Sequence, residues 1–335
     1  MDKKLEIKDK VLVSFCSYNA PYFIESLINS IERHDAGYDF DLLIYDNSST
    51  DNLQLKLLEN YSKKYRCETR PNHGRAQGAY DDAWQSNKNY KYYFFMHDDS
   101  VILKDNWLKI AVDRINDVSV EPYIESEISE LPIGKVGFQS YEWGDAFKYF
   151  RTKYSQIFEK YIEDLSFILG IDVPKYYQHM NDDRFLIRNE LLQKMGKIWN
   201  VELWRQMEIQ KNVKWRAIND FFERCLPNKT AFQPNERYGY KYHAFQTVSE
   251  FMSTIAPVKH GYRTHCVFGD GYCQEELGWS KFWGNDWIVH WGSHVVFKRL
   301  AILLNTTEEV VREKYKDKTF LTHASGLISR EAKNG

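Results

Sequence analysis

Residues 92–100 read YYFFMHDDS: five large apolar side chains run straight into a histidine, two aspartates and a serine. An unbroken apolar run of that length, with no alternation, is the pattern of a strand covered on both faces, as in a parallel sheet. The polar tetrad then marks the strand's carboxyl end. The same order of events occurs twice earlier in the chain. Val11 to Phe15 (VLVSF) leads into CSYN, and Leu42 to Tyr45 leads into DNSSTDN at positions 46–52. Between the first two strands, APYFIESLINSIERH sets Phe23, Leu27, Ile28 and Ile31 at helical spacing, with Asn19 and Pro21 marking its start. A second helix carries Leu53, Leu57, Leu58 and Tyr61, Arg66 to Arg70 reads as a short third strand, and HGRAQGAYDDAWQSN as a loop followed by a helix. Repeated strand–helix units predict an α/β fold with a parallel sheet and helices on both faces. Ligands bind such sheets beyond the carboxyl ends of the strands, where SYN, DNSSTDN and HDDS all fall.

The second half is less regular. Lys135 to Ser140, Arg184 to Arg188 and Trp287 to His290 read as strands, and NELLQKMG as a short helix closed by Gly196. Helical patterns cover 145–169, 217–225, 245–255 and 295–304. Residues 261–284 are rich in glycine and aromatic rings, without a period. No internal repeat or linker divides the chain, so one domain with an elaborated C-terminal half is expected.

Composition narrows the class. The 335 residues carry 45 basic and 47 acidic side chains, a net charge of -2, which disfavours a dedicated nucleic-acid binder. No apolar run reaches the roughly 20 residues of a membrane span, and MDKKLEIKDKVLVSF enters a strand without a signal-peptide core. Five cysteines, odd in number and without a CxxC pair, argue against a disulfide framework or a structural zinc, which fits a reducing cytoplasm. Aromatic side chains reach 16%; such rings chiefly fill cores, although exposed ones stack on flat ligands.

The polar clusters admit two readings each. Asp98 and Asp99 end an apolar strand and are suited to hold Mg²⁺ or Mn²⁺ against a diphosphate; a bare DD pair also serves as a solvated turn or a helix cap. Asp46 can accept from a base or ribose donor while Ser49 or Thr50 caps the next helix, or the whole DNSSTDN run is a simple turn. Arg75 and Arg188 suit phosphate oxygens through their forked guanidinium, or form surface ion pairs. Trp279, Trp283, Trp287 and Trp291 stand among glycines in a segment that reads either as a closing loop or as a packed hydrophobic subdomain.

VLVSFCSYN, DNSSTDN, NHGRAQGAYDDAW and FFMHDDS follow one another in an order and spacing similar to the nucleotide-binding half of family 2 glycosyltransferases of the GT-A fold. That family shows a strand ending in Tyr–Asn, a D-x-S-T-D loop, an N-x-G loop and a D-x-D motif. Tyr18–Asn19, Asp46 to Asp51, Asn72–His73–Gly74 and His97–Asp98–Asp99 take those places, with His97 where the first D-x-D aspartate usually stands.

The resemblance implies a GT-A-type, Rossmann-like, mostly parallel sheet flanked by helices. Residues 1–140 would bind the nucleotide sugar, and 141–335 would form the acceptor-binding, catalytic half of the same domain. It implies donor contacts from Phe15, Ser17, Tyr18, Asn19, Asp46, Arg75, His97 and Asp98, and a metal, Mn²⁺ or Mg²⁺, on Asp99 with Asp98 assisting. His290 in IVHWGSH matches the C-terminal histidine that completes many such metal sites, ahead of His294. AINDFFER matches the segment holding the family's base, which makes Asp220 the base with Asn219 beside it; Asp182 and Asp183 are the rivals.

The implied activity is inverting transfer of a sugar from a UDP-, GDP- or dTDP-linked donor to the hydroxyl of a glycan or glycolipid. Its expected setting is the cytoplasm or the inner membrane face, through peripheral contact alone; oligomeric state is left open. The alternatives are a catalytically silent nucleotide- or carbohydrate-binding module and a nucleotidyltransferase. The latter usually opens with a glycine-rich loop where this chain has SFCSYN, and the absence of G-x-G-x-x-G disfavours a dinucleotide oxidoreductase.

Overall fold

The computed structural model describes residues 6–72, 75–102, 104–117, 130–138, 140–141, 179–180, 184–196, 256–266, 288–290, 306–307, 309–310 and 313. The first four strands are β1 (Lys8–Ser17), β2 (Phe40–Asp46), β3 (Arg66–Thr69) and β4 (Tyr90–His97). Between them lie α1 (Pro21–Arg33), α2 (Asn52–Tyr61) and α3 (Arg75–Ser86). The chain continues through β5 (Ser100–Ile102), α4 (Lys109–Asn116), β6 (Ile133–Gly137), β7 (Ser140–Tyr141) and β8 (His179–Met180). β9 (Arg184–Arg188), α5 (Asn189–Met195), β10 (Arg263–Cys266) and β11 (Ile288–His290) follow.

Seven strands form one sheet in the order β10-β6-β9-β4-β1-β2-β3. β1 runs parallel to both β2 and β4, β2 parallel to β3, and β6 parallel to β10. Only β9 among the seven opposes its neighbours, β4 and β6. The sheet is therefore mostly parallel, as the sequence predicts. The chain order reverses between β1 and β4, which opens a crevice beyond their carboxyl ends, the usual ligand position in such sheets.

Both faces are covered, which explains the unbroken apolar runs. Val11, Val13 and Phe15 pack with Ile24, Leu27 and Ile28 of α1 and with Val112 and Ile115 of α4. Leu12 and Cys16 face the other layer, with Tyr80 and Trp84 of α3 and Leu191 and Leu192 of α5. Each fully buried Leu or Phe contributes roughly 1.5–3 kcal/mol. Aromatic rings concentrate here: Tyr80 stacks on Phe95 at 4.7 Å, and Phe94 meets Trp107 edge-on at 5.5 Å. At Gly134 a Cβ would lie 2.6 Å from Leu191 Cδ2 and 2.7 Å from Tyr262 Cβ, so the missing side chain lets both pack closely on β6.

Several local expectations change. α1 is preceded by Ala20 with no side-chain cap, because Asn19 spends its amide on another loop. α2 is capped by Asp51, not by Ser49 or Thr50. β5, α4, β8 and β10 carry no sequence pattern that predicts them; Arg263–Cys266 lies at the start of the segment without a period. Gly196 at φ +74° closes α5 as predicted. The helical patterns at 145–169, 217–225, 245–255 and 295–304 lie outside the described residues, as do 267–287.

Candidate functional site

The ends of β1 and β2 are tied together by hydrogen bonds between the loops that follow them. Asn19, at φ 51°, takes the left-handed conformation that asparagine tolerates better than most residues. Its Oδ1 accepts the backbone N–H groups of Thr50 at 2.8 Å and Asp51 at 3.0 Å, and its own backbone N–H donates to Ser49 Oγ at 2.9 Å. Asp46 closes β2 and is 3% exposed. Its Oδ2 accepts from the Ser49 backbone N–H at 3.0 Å, and its Oδ1 from Gln54 Nε2 at 2.8 Å. Gln54 is fully buried, and its Oε1 accepts from the Ala20 backbone N–H at 2.6 Å and lies 3.5 Å from the Ser17 hydroxyl.

The start of α2 shows why that amide is available. Asp51 and Gln54 have capping-box spacing, in which the N3 side chain usually reaches back to the cap's own N–H. Asp51 Oδ1 does accept the Gln54 backbone N–H at 2.9 Å. The Asp51 N–H, however, is already taken by Asn19, so the Gln54 side chain turns across to β1 and Asp46.

Behind this rim lies Arg70, 4% exposed, just after β3. Its guanidinium donates to Asn47 Oδ1 and to Asp82 Oδ2 of α3, each at 2.7 Å. Cys16 lies between the two rims: burial pushes its thiol up to about 12, the Asp98 carboxylate adds to the rise, and Arg70 and Asn47 oppose it.

The other rim begins where β4 ends at His97. Asp98 and Asp99 make the turn into β5, which is anchored by the Ile102 N–H donating to Ser30 Oγ of α1 at 3.0 Å. β11 pairs antiparallel with β5, setting Ile288 opposite Ile102, Val289 opposite Val101 and His290 opposite Ser100. A segment far along the chain thus delivers His290 to the position next to the Asp98–Asp99 turn. The His97 ring lies 6.5 Å from that of Tyr80, which belongs to the core layer beneath.

Asp98 and Asp99 carry the oxygen donors that suit Mg²⁺ or Mn²⁺, and the β5–β11 register brings position 290 next to them. Among the described residues no three metal-binding side chains stand gathered, so the fit rests on this donor chemistry and the β5–β11 register.

The remaining sequence candidates distribute as follows. Ser17 is buried at the end of β1, Tyr18 is half-buried beside Asn19, and Phe15 is fully buried in the core under α1. Arg75 opens α3. Arg188 is a correction: because β9 runs against β4, it pairs with Tyr92, far from the carboxyl end. Its guanidinium is spent on the backbone carbonyls of Ile133 and Ile115, not on a phosphate site. Asp182, Asp183, Asn219, Asp220 and His294 lie outside the described residues. Sequence reasoning missed Gln54, Arg70 and Asp82; only Gln54 carried a signal, the D-x-x-Q spacing after the turn cluster.

Residues 13–123 match the family model described as glycosyl transferase family 2. No curated protein matches the chain. Similar solved structures include a mannosyltransferase from Pyrobaculum calidifontis in complex with GDP-Man and Mn²⁺, at 13% identity and TM-score 0.42, covering 100% of this chain and 80% of that one. TarS residues 1–349 from S. aureus, in complex with UDP-GlcNAc, shows 16% identity and TM-score 0.34 over 56% of this chain and 47% of that one. Glucosyl-3-phosphoglycerate synthase from Mycobacterium tuberculosis, with Mn²⁺, UDP and glucosyl-3-phosphoglycerate, shows 13% identity and TM-score 0.33 over 89% and 81%.

Proposed function

For a chain that is family 2-like over residues 13–123, we propose an inverting glycosyltransferase that uses a nucleotide diphosphate sugar and a divalent cation. Its acceptor is the hydroxyl of a glycan or lipid-linked glycan. The observation that carries this reading is the meeting of two rims across the β1–β4 crevice: a hydrogen-bonded cradle around Asp46, and the Asp98–Asp99 turn with His290 in register beside it.

In this reading Ser17, Tyr18, Asn19 and Asp46 shape the nucleoside pocket, and Arg75 and His97 contact the donor. Asp99 and His290 would hold Mn²⁺ or Mg²⁺ with Asp98 assisting; when bound, the ion would offset charge on the departing diphosphate. Asp220 takes the proton of the acceptor hydroxyl while that oxygen bonds to the anomeric carbon. The bond from that carbon to the diphosphate oxygen breaks on the opposite face, and its electron pair leaves with the nucleoside diphosphate. A carboxylate base suffices because the hydroxyl proton becomes acidic only as the new bond forms. No covalent enzyme intermediate is required.

The test is a thermal-shift screen of UDP-, GDP- and dTDP-sugars with Mn²⁺, followed by assay of slow donor hydrolysis. A specific donor raises Tm by mass action, by about 2.7 kcal/mol of added stability at a hundredfold excess over Kd. Stabilisation without sugar release would reduce the protein to a binding module. No stabilisation by any donor would refute the proposal.

A further inference from the structure

We infer that Gln54 is a specificity-determining positioning residue: its buried side-chain amide fixes which lone pairs Asp46 presents and so selects nucleobases with a ring N–H. This rests on the nucleotide-binding reading above and goes beyond it by naming what sets the base preference. Gln54 has no exposed surface, yet its amide joins three separate pieces of chain: β1's end, the β2 turn and α1's start. A buried glutamine is costly unless both ends are satisfied, and here both are.

The direction of the amide is settled by its neighbours. The Ala20 backbone N–H can only donate, so the atom 2.6 Å from it must be Oε1. Nε2 therefore faces Asp46 Oδ1 at 2.8 Å and Ser49 Oγ at 2.5 Å. With Gln54 donating to one oxygen and the Ser49 N–H to the other, Asp46 is held as a pure acceptor in one orientation. A pure acceptor pairs with N3–H of uracil or N1–H of guanine. Facing cytosine N3 or adenine N1, it meets another acceptor. A site built to hydrogen-bond one such group rejects the analogue lacking it far more strongly than an apolar pocket does.

Gln54→Glu isolates this role, because it has nearly the same shape and keeps the acceptor for Ala20. It sets two carboxylate oxygens against each other, a pair that cannot both carry charge and so shares a proton. That proton is held between the two carboxylates, so Asp46 shares its charge and accepts less strongly from a ring N–H, and the preference over cytosine should fall. Gln54→Met does the converse: it leaves the Ala20 N–H without its acceptor but adds no charge.

Binding of UDP, GDP and CDP is measured by calorimetry with Mn²⁺, alongside Tm, for the wild type and both variants. The wild type should bind the better of UDP and GDP at least roughly tenfold more tightly than CDP, the ratio expected of one missing hydrogen bond. Q54E should lose most of that ratio with a modest fall in Tm. Q54M should show the larger fall in Tm with a smaller, roughly threefold loss of ratio, about one weakened hydrogen bond. A filler role for Gln54 would rank both losses in the same order, which overturns the inference. An unchanged ratio in Q54M does so too, even if Q54E fails to fold. CDP binding to the wild type as tightly as the better of UDP and GDP sinks the inference alone; no nucleotide binding at all sinks the proposed function with it.

Discussion

The two rims of the crevice are built by opposite means. Around Asp46 the ties stay within one early stretch: the hydrogen bonds of Asn19, Ser49, Asp51 and Gln54 span at most 37 positions. At the Asp98–Asp99 turn, the neighbouring element is β11, a three-residue strand from near the other end of the chain. The first rim is therefore set by local turn chemistry and helix capping, before any ligand arrives. The second depends on a long-range pairing, whose loop-closure entropy the fold must offset. On the proposed function, base selection would fall to the first rim, and metal and chemistry to the one beside β11.

The sharpest break of that comparison is Asp220→Asn. If the C-terminal half supplies the base, turnover falls by ~10²–10⁴-fold while the donor Kd is unchanged. Steady-state kinetics with donor titrations checks this, and unaltered turnover would move the base elsewhere, with Asp182 and Asp183 next in line. A second substitution, Asp99→Ala, should weaken UDP binding in Mn²⁺ by roughly tenfold or more, since even outer-shell partners of a metal are worth that much. UDP binding in chelator should be the same in the variant and the wild type, because the cradle around Asp46 is untouched. Equal losses with and without metal would mean that the two rims are not separable.

Cys16, beneath both rims, gives a pH-dependent test. Its native thiol holds its proton to about 12 whereas the free thiol loses it near 9.0. The unfolded chain therefore binds fewer protons in that window, and this group's contribution to stability is lost as pH rises from about 9 to about 12. Native protein at pH 8 should react with a thiol reagent at Cys16 far more slowly than unfolded protein does; equal rates would show the thiol to be open. The smallest effect belongs to Asp51→Ala. Loss of the α2 cap should cost about 1 kcal/mol in denaturant unfolding and leave metal affinity unchanged.

How much of this was readable in advance follows from the same contrast. β1, β2 and β4 announce themselves because both sheet faces are covered, so apolar runs such as Tyr92 to Met96 stand out, and their polar ends fall where a parallel sheet gathers ligands. The antiparallel course of β9 was not readable, since Arg184 to Arg188 carries no mark of direction; that is why Arg188 seemed available to phosphate. Asn19 and Ser49 looked like caps, but which loop each would tie depended on Asn19 adopting φ 51°. The bridge made by Gln54 and the Arg70–Asp82 pair are three-dimensional facts without a local periodicity to betray them. β11 was read as a strand, yet only the sheet reveals that His290 lies across from Ser100.

The most direct measurement is anomalous diffraction from a crystal grown with Mn²⁺ and UDP or GDP. A manganese peak is expected within coordination distance of Asp99 and His290, with the diphosphate oxygens on its open side and the base toward Asp46. A nucleotide bound elsewhere, or a metal peak distant from the Asp98–Asp99 turn, would contradict it.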